Sequence, residues 1–185
     1  MQGHFDIDAS EIRRYAPRMR AGDRVLLSGT IYTARDQAHM AIFRLLDAGE
    51  PTPFEIRDAV IYYAGPTPGH DGMPTGACGP TTSSRMDGFA PRLLELGLAA
   101  MIGKGLRSDA VKESIVKNGT VYLCAVGGAG ALIARSIKEM EEIAFPELGC
   151  ESVKRLVVEK MPLIVGIDPD GGDIFTRGIE QFRMC

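Results

Sequence analysis

The chain has 185 residues, and its 24 acidic and 21 Lys or Arg side chains leave a formal net charge of −3. Charges of both signs are mixed along the sequence, without the basic block typical of a nucleic-acid binding protein. No apolar run approaches the roughly 20 residues that a membrane-spanning helix needs, and the N-terminal MQGHFDIDAS lacks the apolar core of a signal peptide. We therefore expect a cytoplasmic protein whose partners include neither nucleic acid nor a membrane.

Apolar spacing divides the chain into alternating helices and strands, separated by turns that contain Gly or Pro. In chain order we predict helix 8–20 with Ser10 as its N-cap, strand 24–32, helix 35–49, strand 59–65, helix 86–96, strand 98–103, helix 108–117, strand 120–126, helix 129–143, and two strands within 152–168 that meet near Pro162. This order predicts an α/β fold with mixed sheets. The length suits one domain over 1–185, with a short N-terminal extension at 1–21.

A run of hydroxyl-bearing side chains follows a loop at 66–80 that is too rich in Gly and Pro for regular structure. Buried hydroxyls cost free energy unless they are hydrogen bonded, so apolar packing gives no reason for such a run. The arginine that follows offers a fork of donors that matches a carboxylate. The pattern therefore indicates an anion site, which comprises Thr81, Thr82, Ser83, Ser84 and Arg85.

Three further polar residues follow predicted strands. Arg35 and His39 are four positions apart and share one face of a helix, and Lys104 lies between two glycines. These residues and Arg85 also have simpler interpretations. The two arginines could form structural ion pairs, His39 could be a structural histidine with its hydrogen bonds satisfied, and Lys104 could be solvated. Their combination in Gly-rich loops at strand ends favours a site.

The four cysteines indicate no metal site in this chain. They are widely separated, without a C-x-x-C pair or a neighbouring histidine, and free thiols are expected. Cys78 lies just before the hydroxyl run, where a small residue in a tight loop is the simpler interpretation. The cysteines are Cys78, Cys124, Cys150 and Cys185.

Two familiar motifs fail on inspection. In VGGAGAL (126–132), a GxGxxG alignment places Ile133 where the third glycine belongs, which weakens a nucleotide-binding interpretation. The glycines fit either a turn that holds an anion or close packing. Asp168, Asp170 and Asp173 are spaced as in a calcium loop, but Ile179 replaces the closing glutamate, so a solvated turn is expected.

Five motifs occur in a single order: SGTIYTARDQAH, AGPTP with GPTTSSRM, IGKG, VGGAGAL, and ELGCESVKRLVVEKMPLIVGID. In that order the chain resembles the β subunit, or C-terminal domain, of class I iron–sulfur fumarases and the related tartrate dehydratases, from about Gly22 to Asp168. The resemblance implies a swivelling β/β/α domain that closes over an active site shared with an α subunit. It also implies that three cysteines of that partner hold a 4Fe-4S cluster, so the expected assembly is a hetero-oligomer.

The same resemblance assigns the main site residues. It implies that Arg35 and Arg85 bind a small dicarboxylate. Lys104 would contribute to binding and catalysis, and Thr81 is the candidate proton-transfer residue, assisted by an acid group of the partner. The physical reason is that negative charge grows on a carboxylate as the neighbouring C–H loses its proton, so cations must lie there.

The remaining assignments concern the borders of the site. Thr82 and Ser83 are predicted to orient the substrate through hydrogen bonds, and His39 matches a family position without a defined role. Met40 stands where a basic residue is frequent in the family, and Ser84 stands where glycine is frequent.

The implied activity is the reversible hydration of fumarate to malate, by a hydro-lyase that is active only with its α subunit. A tartrate dehydratase β subunit is the alternative enzyme, and the VGGAGAL form favours fumarate over tartrate. A non-catalytic anion-binding or assembly module that has kept the scaffold is the alternative outside enzymes.

Overall fold

Four parallel strands form the centre of the fold. The computed structural model describes residues 3–69 and 72–183. Each of the four strands pairs in parallel with the next, and they are β2 (Arg24–Thr33), β3 (Val60–Tyr62), β4 (Ala100–Gly103) and β5 (Val121–Cys124). Their carboxyl ends therefore lie at the same end of the sheet.

A long C-terminal strand closes this sheet. β7 (Val153–Ile167) runs antiparallel to both β5 and β2, so β2, β3, β4, β5 and β7 form a closed five-stranded, barrel-like sheet. β1 (His4–Asp8) adds in parallel to the first half of β2, and β6 (Ile137–Ala144) adds antiparallel to β7. The predicted combination of parallel and antiparallel pairing is thereby confirmed.

Six helices connect or flank the strands within the described residues. They are α1 (Ile12–Tyr15), α2 (Asp36–Ala48), α3 (Ala90–Glu95), α4 (Asp109–Asn118), α5 (Gly130–Ala134) and α6 (Ile174–Phe182), with 3₁₀ turns at Ala9–Glu11, Ala16–Arg18, Ser83–Met86 and Pro146–Glu151. None of the helices in the described ranges is long and apolar enough to cross a membrane.

Alternate residues of the strands belong to two hydrophobic clusters. Val60 and Tyr62 of β3 belong to the cluster shared by all five strands of the closed sheet. Ile61 and Tyr63 belong to the other cluster, which includes buried residues of α2, α3 and α4. Burial on both faces explains why these strands are continuous apolar runs rather than alternating patterns.

The predictions for β2 to β5, α2 and α4 are confirmed to within a few residues. α2 and α4 are each followed by a glycine in the left-handed conformation, Gly49 (φ 69°) and Gly119 (φ 60°). Glycine adopts this conformation without the steric cost of a Cβ, and it ends both helices.

The prediction of a helix over 129–143 is wrong. Only Gly130–Ala134 is helical, and Ile137–Ala144 forms β6 against β7. The segment KEMEE is rich in residues with high helix propensity, but pairing with β7 outweighs that local preference. β6 lies at the edge of the sheet, where charged side chains are common in strands.

Two other predictions need correction. Within the predicted helix 8–20, only Ile12–Tyr15 is α-helical, and Asp8 rather than Ser10 acts as the cap, since its carboxylate accepts the Ser10 N–H at 3.0 Å. The two strands expected near Pro162 are one continuous strand, β7. A bulge opposite Ser28 lies just before that proline, with Lys160 at φ 50°.

The segment predicted as an N-terminal extension packs into the core. Ile7, Ile12, Ala16 and Met19 are buried in the cluster shared by the closed sheet. The C-terminal end of this segment is fixed by Asp168, whose carboxylate accepts the Ala21 N–H at 2.8 Å. The domain limits themselves stay a prediction.

Replacing Ile12 with Ala should lower the free energy of unfolding by about 2–5 kcal/mol, because the change leaves a cavity in a fully buried position. Urea denaturation of the isolated chain measures the effect. The matched control is Ile179→Ala. The Ile179 side chain is 59% exposed, so this change should lower the free energy of unfolding by less than about 0.5 kcal/mol. Equal effects of the two changes would mean that residues 4–20 are not integrated into the core.

Candidate functional site

The segments predicted to form the site lie at the carboxyl ends of the parallel strands. Arg35 comes two residues after β2, and Lys104 directly follows β4. The Thr81 N–H donates to the Tyr63 carbonyl at 2.7 Å, just beyond β3, and the Ser83 N–H donates to the Lys104 carbonyl at 2.9 Å. Parallel strands place their carboxyl ends at the same end of a sheet, so these segments all lie at one end of the closed sheet.

The hydroxyl run divides into exposed and buried members. Thr82 is exposed and Thr81 partly buried, and among the described residues neither hydroxyl has a hydrogen-bond partner. Ser83 is fully buried, with Oγ 2.9 Å from the Tyr122 hydroxyl, which also donates to the Gly105 carbonyl at 3.0 Å. The Ser83 side chain is thus occupied within the protein, and its predicted contact with substrate stays a prediction.

Arg35 precedes α2 and is held by an acid from a distant segment. Its Nη2 lies 3.2 Å from Oε1 of Glu151, and both side chains are only about one-fifth exposed, at 20% and 19%. The second oxygen of Glu151 accepts the Gln37 N–H at 3.1 Å. One carboxylate therefore joins the guanidinium to the first turn of α2.

Arg85 makes a two-pronged ion pair with Asp36. The Nε–Oδ1 distance is 3.0 Å and the Nη2–Oδ2 distance is 2.8 Å. The structural ion pairs left open by the sequence are therefore present for both arginines. Arg85 remains 48% exposed, and a guanidinium has five N–H donors, so donors remain for a ligand.

Lys104 carries no ion pair among the described residues, and its side chain lies beside the VGGAGAL segment. A Cβ built on Gly127 would be 3.5 Å from Cδ and 3.8 Å from Nζ of Lys104. Gly130 lies against the backbone of Gly79, where a Cβ would come within 3.2 Å of the Gly79 nitrogen. Close packing of two loops thus accounts for this glycine, and α5 has only five residues.

His39 is fully buried behind the site. Its Nδ1 lies 2.9 Å from the Arg35 carbonyl, which can only accept, so Nδ1 carries the proton. The ring packs against Tyr63 and Phe89, with centroids at 5.6 and 5.4 Å. Burial lowers the pKa of His39 from 6.5 to about 4, so the imidazole is neutral at physiological pH. The arrangement favours a structural histidine, whose Nδ1 is hydrogen bonded and whose buried Nε2 has no hydrogen-bond partner among the described residues.

A buried ion pair beneath the site has no sequence signal. The Arg107 side chain is 0% exposed, and its Nε lies 2.6 Å from Oδ1 of Asp87. The guanidinium also lies over the rings of Tyr63 and Tyr122, at 5.4 and 5.1 Å from their centroids. Asp87 closes the network by accepting the Ser108 N–H at 2.7 Å. This network holds two segments together. One is the 3₁₀ turn that contains Arg85, and the other is the loop that follows Lys104.

The cysteines of the described residues do not converge. Cys78 and Cys124 are buried in separate clusters, and burial raises their pKa values to about 12 and about 11. Cys150 is exposed, and Cys185 lies outside the described residues. No group of three or more His, Cys, Asp or Glu side chains in residues 3–69 and 72–183 could hold a metal. The chain thus offers no cluster site in that part.

Comparison with known proteins identifies the family. The family model described as "Fumarase C-terminus" matches residues 2–178. The chain therefore belongs to the fumarase C-terminal family, which confirms the resemblance found in the sequence.

Relatives of two kinds match the chain. Fumarate hydratase 2 of Leishmania major is 38% identical over 169 residues, covering 90% of this chain and 30% of the relative. The anaerobic class I fumarate hydratase of Escherichia coli K12 is 42% identical over 160 residues, covering 85% and 29%. A putative L(+)-tartrate dehydratase subunit beta of Methanocaldococcus jannaschii is 38% identical over 166 residues, covering 86% and 85%. The chain thus spans less than a third of the fumarate hydratases and most of the tartrate dehydratase subunit.

Replacing Gly103 with Ala should destabilise the loop that carries the hydroxyl run. A methyl group there would overlap Oγ of Ser83 and lie 2.9 Å from Cδ2 of Tyr63. Such overpacking costs about 1–3 kcal/mol, which urea denaturation measures. Gly88→Ala is the control, because nothing lies within 4 Å of its Cβ position. An unchanged stability of Gly103→Ala would contradict the close approach of Ser83 to β4.

His39 should make stability fall in mild acid. Its pKa is about 4 when folded and 6.5 when unfolded, so the unfolded chain binds the proton first as the pH falls. The contribution of neutral His39 to the free energy of unfolding is complete above pH 6.5 and decreases towards pH 4. Between pH 7.5 and 5 the decrease is about 2 kcal/mol. The measurement compares urea unfolding of the natural chain and of His39→Asn at both pH values. Identical pH dependence of the two proteins would show that His39 titrates normally.

Proposed function

We propose that this domain is the β-subunit part of a class I iron–sulfur hydro-lyase that reversibly hydrates fumarate to malate. The observation that carries the proposal is the position of Arg35, Thr81 and Lys104 after the carboxyl ends of parallel strands, with Arg85 in the 3₁₀ turn that follows Thr82. The Thr81 hydroxyl has no hydrogen-bond partner among the described residues. The fumarate hydratases among the relatives support the same reaction class.

The cations suit a small dicarboxylate. Arg85 is about half exposed, and its remaining N–H donors can meet a carboxylate in two-pronged geometry. Lys104 has no competing ion pair in the described chain, so its ammonium is free to meet the other end of the ligand or the developing charge. The Arg85 side chain is about half exposed, so water screens its pair with Asp36 and can replace that carboxylate while the guanidinium turns to a substrate.

Thr81 Oγ1 is the proposed atom that exchanges the proton. Removing a proton beside a carboxylate places negative charge on that carboxylate, and the neighbouring cations stabilise it. A threonine hydroxyl is a weak base in water, so Thr81 needs a dry, positive surrounding and an acceptor from the partner. The backbone contacts of Thr82 and Ser83 with Lys104 keep an ammonium-bearing residue beside this segment.

A partner chain completes the proposed site. We propose that an α subunit holds the 4Fe-4S cluster, since the cysteines described in this chain do not converge. When bound, the cluster would supply a Lewis acid for the departing hydroxyl. Exposed apolar side chains in the segments after β4 and β5 suit the contact with that subunit, because Leu106, Val126 and Leu132 are 54%, 58% and 57% exposed. Closure of the domain over the partner would exclude water.

Tartrate dehydration is the second candidate. The putative tartrate dehydratase subunit beta among the relatives matches over 85% of its own length, which supports this reaction as well. Met40 and Ser84, at the border of the site, are both exposed and could alter the accepted ligand. The substrate assay below compares the two.

The test is anaerobic reconstitution of this chain with its cluster-bearing α subunit. The pair should interconvert malate and fumarate, and the isolated chain should be inactive. Arg85→Ala should lower kcat/KM by about 10-fold or more, the loss expected for one charged hydrogen-bonded contact. The matched control is Arg92→Ala, which removes an exposed arginine of α3 that pairs with Asp47 of α2, the helix that also carries Asp36.

Three outcomes would contradict the proposal. Unchanged activity of Arg85→Ala would remove its proposed role as a substrate cation. Faster turnover of tartrate than of malate or fumarate would favour a tartrate dehydratase. A stable complex that converts none of fumarate, mesaconate and tartrate would favour a non-catalytic anion-binding module.

A further inference from the structure

Gly65 leaves room for the guanidinium of Arg35. A Cβ built on Gly65 would lie 2.8 Å from Nη1 and 3.5 Å from Cδ of Arg35. It would also lie 3.1 Å from the Cys150 carbonyl oxygen, which cannot move freely because it belongs to the backbone. Gly65 is not among the glycines with positive φ, so the backbone does not require glycine there. The absence of a side chain is therefore what matters at this position.

Glu151 holds the other terminal nitrogen of the same guanidinium. Its carboxylate lies 3.2 Å from Nη2 of Arg35 and accepts the Gln37 N–H through its second oxygen. The position of Glu151 follows from strand register, because Thr33 of β2 faces Lys154 of β7. The buried Lys154 ammonium secures the turn before β7 by donating to the Gly149 carbonyl at 3.1 Å.

We propose that Gly65 and Glu151 are positioning residues that fix the direction of the Arg35 guanidinium before a substrate carboxylate arrives. This inference rests on the proposed function, and it takes Arg35 as a cation that binds one end of the dicarboxylate, as the family resemblance implies. Gly65 sets how far the guanidinium lies from the loop after β3, and Glu151 sets its rotation. Fixing a flexible side chain in advance lowers the entropy lost on binding, so both residues act on substrate affinity.

The test is a double-mutant cycle in the reconstituted enzyme. Gly65→Ala should raise KM for fumarate about 10-fold with kcat changed less than about 2-fold, because the guanidinium loses its alignment with the carboxylate. In an Arg35→Ala background, Gly65→Ala should have no further effect on KM. If Gly65 has only a structural role, the effect of Gly65→Ala on KM will persist in that background. Gly88→Ala serves as the control, since its Cβ position is open.

A second pair of variants tests Glu151. Glu151→Leu should raise KM by a similar factor, because Arg35 loses its fixed partner. Glu151→Gln should restore most of the affinity, since the amide oxygen can still accept from the guanidinium. A KM of Glu151→Gln equal to that of Glu151→Leu would overturn the positioning role of this residue.

The outcomes separate the two proposals. If Arg35→Ala leaves KM unchanged, Arg35 does not bind the substrate, and the proposed role and the inference both fail. If Arg35→Ala raises KM and Gly65→Ala does not, only the inference fails. An effect of Gly65→Ala that persists without the Arg35 side chain would likewise overturn it.

Discussion

The pairing of β7 with both β2 and β5 is the constraint on which the site depends. β7 runs antiparallel to β5 and to β2, and so closes the sheet around a shared hydrophobic cluster. The register that places Thr33 opposite Lys154 also brings the turn before β7 to the end of β2. The closure that buries the apolar strands is therefore the same arrangement that brings Glu151 to Arg35.

Charge balance at the strand ends combines strong and weak interactions. The Arg107–Asp87 pair is buried, and breaking a buried pair leaves an uncompensated charge, which costs about 3–5 kcal/mol. The Arg85–Asp36 pair is half exposed on its arginine side and contributes far less. The fold thus uses its costly pair to hold the loop and leaves a replaceable pair where a ligand would bind.

The hydroxyl run shows how one short segment serves two purposes. Ser83 is buried and bonded to Tyr122, which anchors the run to β5. Thr81 and Thr82 directly precede that anchor, and their hydroxyls have no hydrogen-bond partner among the described residues. An anchored backbone with unpaired hydroxyls suits the proposed site, because these groups are placed before a ligand arrives.

Local pattern determined β2 to β5, α2 and α4, because their apolar spacing and C-terminal glycines act within a few residues. It also supplied the motifs that carry the family resemblance, including Arg35 and Arg85. Only the tertiary structure decided that 137–144 is a strand, since pairing with β7 outweighs helix propensity. Tertiary contacts also decided the burial of Ser83 and the pairing of Arg35 with Glu151. These contacts join residues far apart in the chain, so no local pattern encodes them.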